Sequence, residues 1–128
     1  MREVAVRKKS PKQVGRVGEH YVAYLLESVG LETLRVDGTG CDLHVTTNSG
    51  RVMRVEVKTC ATTMVKKNVY RFHIGNSNAE VFVFVAMFDG EPLVRMFLRE
   101  DAPKWSLNSS EFTLEAQQAD LDWFAQLS

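Results

Sequence analysis

A chain of 128 residues, 45% hydrophobic and 25% charged, has the size and composition of one globular domain, residues 1–128, that buries its core without staples. Its two cysteines, Cys41 and Cys60, are too few for a disulfide framework and fit no zinc spacing, and its longest apolar run, VFVFVAMF at 81–88, is far too short to cross a bilayer. The formal net charge of +0 hides a segregation: bases Arg2, Arg7, Lys8, Lys9, Lys12 and Arg16 dominate the start, while acids Glu100, Asp101, Glu111, Glu115, Asp120 and Asp122 dominate the end.

In chain order, MREVAVRKKSPKQ carries charge but no apolar run, so no signal peptide is read there and a cytoplasmic, non-membrane protein is expected. Ser10-Pro11-Lys12-Gln13 combines a capping serine, a proline suited to the first helical position and a glutamine that completes a capping box. From there Val14, Val17, Tyr21, Val22, Leu25, Leu26 and Val29 fall on one arc at helical spacing, and Gly30 ends the helix. LETLRV (31–36) reads as a strand and DGTG (37–40) as a loop. DLHVTT and RVMRVEVKT then alternate around Asn48-Ser49-Gly50, a three-residue hairpin closure with glycine in the left-handed position. VYRFHI (69–74) reads as a strand. EVFVFVAMF (80–88) is apolar on both faces, the pattern of a central strand covered on both sides. Asp89-Gly90-Glu91-Pro92 turns the chain into LVRMFL (93–98), and a last helix near 113–127 points Leu114, Leu121, Phe124 and Leu127 inward. Trp105, Trp123 and the phenylalanines of 80–98 are expected in the core. The succession predicts an α/β domain of mixed α+β type: an N-terminal helix, a central mixed sheet and a C-terminal helix.

The hairpin closure fixes a register. Thr47 faces Arg51, and counting back pairs His44 with Arg54 and Asp42 with Glu56. With period two, Asp42, His44, Arg54, Glu56 and Lys58 share one face, and Leu43, Val45, Met53, Val55 and Val57 share the core face. Two carboxylates facing across a hairpin repel unless a cation lies between them. Mg²⁺ (or Mn²⁺) suits such a pair, because it takes oxygen ligands and keeps several waters. Lys58 stands one same-face step beyond Glu56, where it could orient an attacking water and offset charge on a phosphate. Glu19, roughly 20° beyond Leu26 on the helical wheel, sits at the margin of the buried arc.

Asp42 followed by Glu56-Val57-Lys58, preceded by a helix carrying Glu19, resembles the PD-(D/E)XK nuclease superfamily. The likeness runs through GRVGEHYVAYLLESVG, LRVDGTGCDL and RVEVKT, about the first half of the chain, and is similar to archaeal Holliday-junction resolvases and small homing endonucleases. It implies a restriction-endonuclease-like core and Mg²⁺-dependent hydrolysis of DNA phosphodiesters. It also implies Asp42 and Glu56 as metal ligands, Lys58 as the water-orienting base and Glu19 as an accessory acid. Two departures stand out: Cys41 occupies the position before Asp42 where the motif's name has proline, and residues 60–80 carry strand and loop signals where the family core has a helix.

Lys66, Lys67 and Arg71, soon after the motif, and Lys8, Lys9 and Arg16 are the expected phosphate contacts. The acidic C-terminal helix should face away from DNA. His44 lies on the site face, whereas His20 and His73 have no arrangement that suggests ligation. A single site per domain favours a homodimer or higher symmetric oligomer for cutting both strands of a duplex. The rival expectation is a non-cleaving nucleic-acid-binding module on the same fold, part of a defence or recombination complex; another is a structural domain with an ordinary Glu56–Lys58 surface pair.

Overall fold

The computed structural model describes residues 9–36, 40–61, 68–87, 91–104 and 106–128. Lys8, Lys66, Lys67, Phe88, the Asp89-Gly90 turn, most of the 37–40 loop and Trp105 lie outside the described residues.

The first helix, α1 (Pro11–Ser28), starts on the expected capping box. Ser10 Oγ accepts from the Gln13 amide (3.2 Å) and Gln13 Oε1 accepts from the Ser10 amide (2.9 Å), an arrangement worth about 1 kcal/mol. It ends as Gly30 and Leu31 donate back to Glu27 and Leu26. Its buried face is Gly18, Val22, Leu25 and Leu26. Val17 and Val29, expected inside, are exposed. The helix is turned so that Gly18 makes the closest approach to the sheet, which puts Val17 off the flank, and Val29 has already left the helix as its C-cap. A β-carbon on Gly18 would lie 1.8 Å from Thr59 Oγ1, so only glycine allows this contact.

The strands β1 (Glu32–Arg35), β2 (Leu43–Thr46), β3 (Val52–Cys60), β5 (Val81–Met87) and β6 (Pro92–Leu98) form one sheet in the order β1-β2-β3-β5-β6. Only β3 and β5 run parallel; the other neighbours are antiparallel, so the sheet is mixed. The hairpin closes as its sequence predicts: the Thr47 amide donates to Arg51 (2.8 Å) and Gly50 takes φ +88°. His44 pairs with Arg54 and Leu43 with Val55.

Both faces of the sheet are covered, for different reasons. Val55, Val57, Val83, Val85, Val94 and Met96 pack beneath α1 and the second helix, α2 (Leu114–Ala125). On the opposite face Cys60, Phe82, Phe84 and Ala86 pack under a separate two-stranded sheet, β4 (Val69–Arg71) with β7 (Ser106–Asn108). That small sheet supplies Tyr70 and Leu107, with Phe72 and Phe112 from the adjoining chain. Residues 81–86 are therefore buried without alternation, the central strand that the apolar run predicts. The expected strand over 69–74 is only three residues long, and Phe72 onward continues as irregular chain toward β5.

The second helix corrects one expectation. Leu114 is 67% exposed, because it opens the first turn beside the cap Thr113, before the helix meets the sheet. Leu121 and Phe124 are buried, and Leu127 and Trp123 pack partly against them. Gln117 and Asp120 do something the apolar pattern does not announce: they cover the open edge of β6. Gln117 Oε1 accepts from the Val94 amide (3.0 Å), and Asp120 Oδ2 accepts from the Met96 amide (2.8 Å) and from Arg95 Nε (2.8 Å). Unpaired edge amides are thereby satisfied and the edge is closed to another strand. No helix among the described residues is long and apolar enough to cross a membrane.

Candidate active site

Asp42 sits one step beyond the last paired residues of the β2–β3 ladder, Leu43 and Val55. There the strands begin to part. The Asp42 amide still donates to Val55 (2.9 Å), but its side chain takes over the next ladder position, Oδ2 accepting from the Val57 amide at 2.8 Å. This pins the carboxylate against β3 and brings it beside Glu56. Glu56 and Lys58 follow on the same face of β3 by strand periodicity. Lys58 Nζ stands 3.7 Å from Glu56 Oε2. Asp42, Glu56 and Lys58 thus come together, as the sequence register predicts, in a cleft of about 280 Å³ completed by Gly40, Cys41, Gly75, Asn76 and Ser77.

Ser77 is the site residue that sequence reasoning missed. Its Oγ accepts from the Ala79 amide (3.1 Å), and its single proton lies between the Gly40 carbonyl (2.8 Å) and Glu56 Oε1 (3.1 Å). It ties the chain leading into β5 to both walls of the cleft. The Gly-Asn-Ser-Asn run at 75–78 marks a loop, but nothing periodic in it says that one hydroxyl turns toward Glu56.

The electrostatics of the pair are strained. Burial, then the charge of Asp42 and the hydrogen bond to it, push the Glu56 carboxyl up from 4.5 to about 7, while Lys58 and Ser77 pull it back only in part. Glu56 therefore lacks a fully compensating positive charge despite the ammonium beside it. Two carboxylates that repel, in a polar cleft, form an all-oxygen donor set suited to a hard divalent cation that keeps its remaining waters. Among the described residues no group of three or more His, Cys, Asp or Glu side chains is poised to hold a metal, so nothing there resembles a closed zinc-type site.

The other predicted residues distribute as follows. Glu19, on α1, pairs with Arg35 Nε on β1 at 3.3 Å and is not among the residues lining the cleft. It is nonetheless at the same end of the sheet, because Val36, next to Arg35, donates to the Asp42 carbonyl (3.0 Å). Lys9 and Arg16 are exposed, the first just before α1 and the second on it. Arg71 is exposed on β4 and shares a cleft with His73 and Lys104. His44 is half-buried on the site face between Leu34 and Arg54. Helix α2 and its acids pack on the opposite face of the sheet from Glu56 and Lys58.

No protein-family model and no curated protein matches the sequence. Among solved structures, the chain is similar to a bacterial homing endonuclease, I-Ssp6803I, at 17% identity and a TM-score of 0.60, over 77% of this chain and 74% of that one. The fold is accordingly an α+β restriction-endonuclease-like core, with an N-terminal helix, a central mixed sheet and a C-terminal helix.

Proposed function

We propose that this protein is a metal-dependent DNA endonuclease that hydrolyses phosphodiester bonds at Asp42, Glu56 and Lys58. The observation that carries the reading is the pairing of Asp42 with Glu56: a protein that only bound nucleic acid would gain nothing from two repelling carboxylates held toward a polyanion. The fold likeness to a homing endonuclease supports the same class.

Asp42 and Glu56 would hold Mg²⁺ (or Mn²⁺), which supplies Lewis-acid polarisation of the phosphate and a more acidic bound water. The chain's own groups do the rest. Asp42 is immobilised by the Val57 amide, so its carboxylate needs little reorganisation. Ser77 orients Glu56 Oε1 and leaves Oε2 toward Lys58. Lys58 Nζ, a compact donor of three hydrogen bonds, orients the attacking water and offsets the charge that grows on the phosphoryl oxygens. Glu19, at the sheet end beside Arg35, is the accessory acid of this reading, and Lys9, Arg16 and Arg71 are exposed bases suited to backbone phosphates. Cutting both strands of a duplex calls for two such sites, hence a homodimer or higher symmetric assembly.

The test is cleavage of labelled linear duplex, single strand, four-way junction and RNA, with Mg²⁺, with Mn²⁺ and with chelator. Metal-dependent cutting that falls by about 10²–10³-fold in Lys58→Ala, with affinity retained, supports the reading. Tight, salt-sensitive binding without cutting by the wild type would replace it with a non-cleaving module on the same fold.

A further inference from the structure

Beside the Asp42–Glu56–Lys58 cleft lies a second, open cleft of about 470 Å³, lined by Gly40, Asn76, Ser77, Asn78 and Arg99. The two share Gly40, Asn76 and Ser77, so they adjoin. The charge of this second cleft is one-sided. Among the described residues Arg99 is its sole ionisable lining residue, and its guanidinium makes no ion pair or hydrogen bond with any of them.

The neighbouring bases are differently employed. Arg51 and Arg54 both bridge Glu80, and Arg54 Nε donates to the Asn78 carbonyl at 2.8 Å. These bonds, with Ser77 on Gly40, fix the 77–80 segment between the two clefts. The Arg99 amide donates to the Glu80 carbonyl (3.0 Å), so the same segment also holds the residue that carries the uncommitted charge. A fixed polar wall with one unpaired guanidinium is suited to an anion, and its place next to the Asp42–Glu56–Lys58 cleft points to a neighbouring phosphate of the same strand.

We infer that Arg99, with Asn76 and Asn78, forms a subsite for a backbone phosphate flanking the scissile phosphate of DNA. This step rests on the nuclease reading above. The subsite positions the strand and takes no part in the chemistry.

The experiment measures affinity for a labelled duplex as a function of salt, in Mg²⁺, for Lys58→Ala alone and with Arg99→Ala or Arg99→Lys. Cleavage at saturating duplex is measured for wild type and Arg99→Ala. Loss of one phosphate contact should lower the salt slope by about 0.9 and weaken binding about tenfold, with Arg99→Lys keeping most of the slope. The cleavage rate at saturation should stay within about threefold of wild type. A single neutral methylphosphonate, moved along the strand, should find one flanking linkage that weakens binding with Arg99 present and has no effect in Arg99→Ala. Thermal melts of the variants establish that this exposed substitution leaves the fold intact. Unchanged affinity and slope in Arg99→Ala overturn the subsite, as does a fall in saturated rate without a fall in affinity. A wild type that binds but cuts nothing defeats the nuclease reading alone, since the salt slope still reports on Arg99; equal dependence with RNA would extend the subsite to either backbone.

Discussion

Asp42 and Glu56 meet at the point where the β2–β3 ladder opens, their carboxyl groups side by side while Asp42 Oδ2 holds the Val57 amide. Their mutual repulsion is a cost the fold carries in this cleft. Glu56→Gln removes the charge and keeps the shape, so without divalent metal at pH 8 it should stabilise the protein by about 1–2 kcal/mol while abolishing cleavage. Denaturant titration in chelator reads the first effect, and a Glu56→Gln variant no more stable than wild type would contradict it.

The same pair sets a pH dependence. The folded protein holds a proton on Glu56 up to about pH 7, whereas an unfolded chain releases it near 4.5. Between those values the native state binds more protons than the unfolded one, so this contribution to stability is full below pH 4.5 and is lost as pH rises through about 7. Solvent screening at a half-buried group holds the change to about 1–2 kcal/mol. Melting temperatures in chelator should therefore decline from pH 5 to pH 8 in wild type more steeply than in Glu56→Gln. Adding Mg²⁺ at pH 8 should recover the difference in wild type alone.

What the sequence makes legible follows from how each signal is encoded. The face that carries Asp42, Glu56 and Lys58 is readable because Asn48-Ser49-Gly50 fixes the hairpin register and strand periodicity carries it to those residues. The β4–β7 pairing is not: β4 falls within the strand expected over 69–74, but β7 has three residues, too few for a period, and the pairing joins distant parts of the chain. Burial of Gln117 departs from the apolar pattern of α2 because the open edge of β6 requires hydrogen-bond acceptors there, and Leu114 is exposed because it opens the first turn of the helix. Ser77 and Arg99 lie in or beside irregular chain, where only the folded geometry assigns a direction.

Gly18 and Thr59 test how closely α1 governs the site. A methyl group at Gly18 meets the Thr59 hydroxyl and β-carbon at 1.8 and 2.9 Å, and Thr59 follows Lys58 on β3. Gly18→Ala should push the helix off the strand at a cost of about 1–3 kcal/mol. Thr59→Ala removes the nearer clash but not the β-carbon, so the double variant should recover only part of that loss in a thermal melt. Cleavage by Gly18→Ala should fall even well below its melting temperature, because Lys58 moves with the strand. Additive effects of the two substitutions would show that the contact is not the cause.

Asp120 closes the β6 edge with one oxygen that serves two donors, the Met96 amide and Arg95 Nε. Arg95 also lies over the Phe97 ring, 5.0 Å from its centre, and donates to the Glu111 carbonyl at 3.3 Å, so it cannot leave for solvent without giving up those contacts. Asp120→Ala strands both donors and should cost about 2–4 kcal/mol. Asp120→Asn keeps a neutral acceptor for the amide and should cost about half as much. Denaturant midpoints order the two variants, and hydrogen exchange at the Met96 amide should accelerate most in Asp120→Ala. Equal and small losses in both would mean that solvent, not Asp120, satisfies this edge.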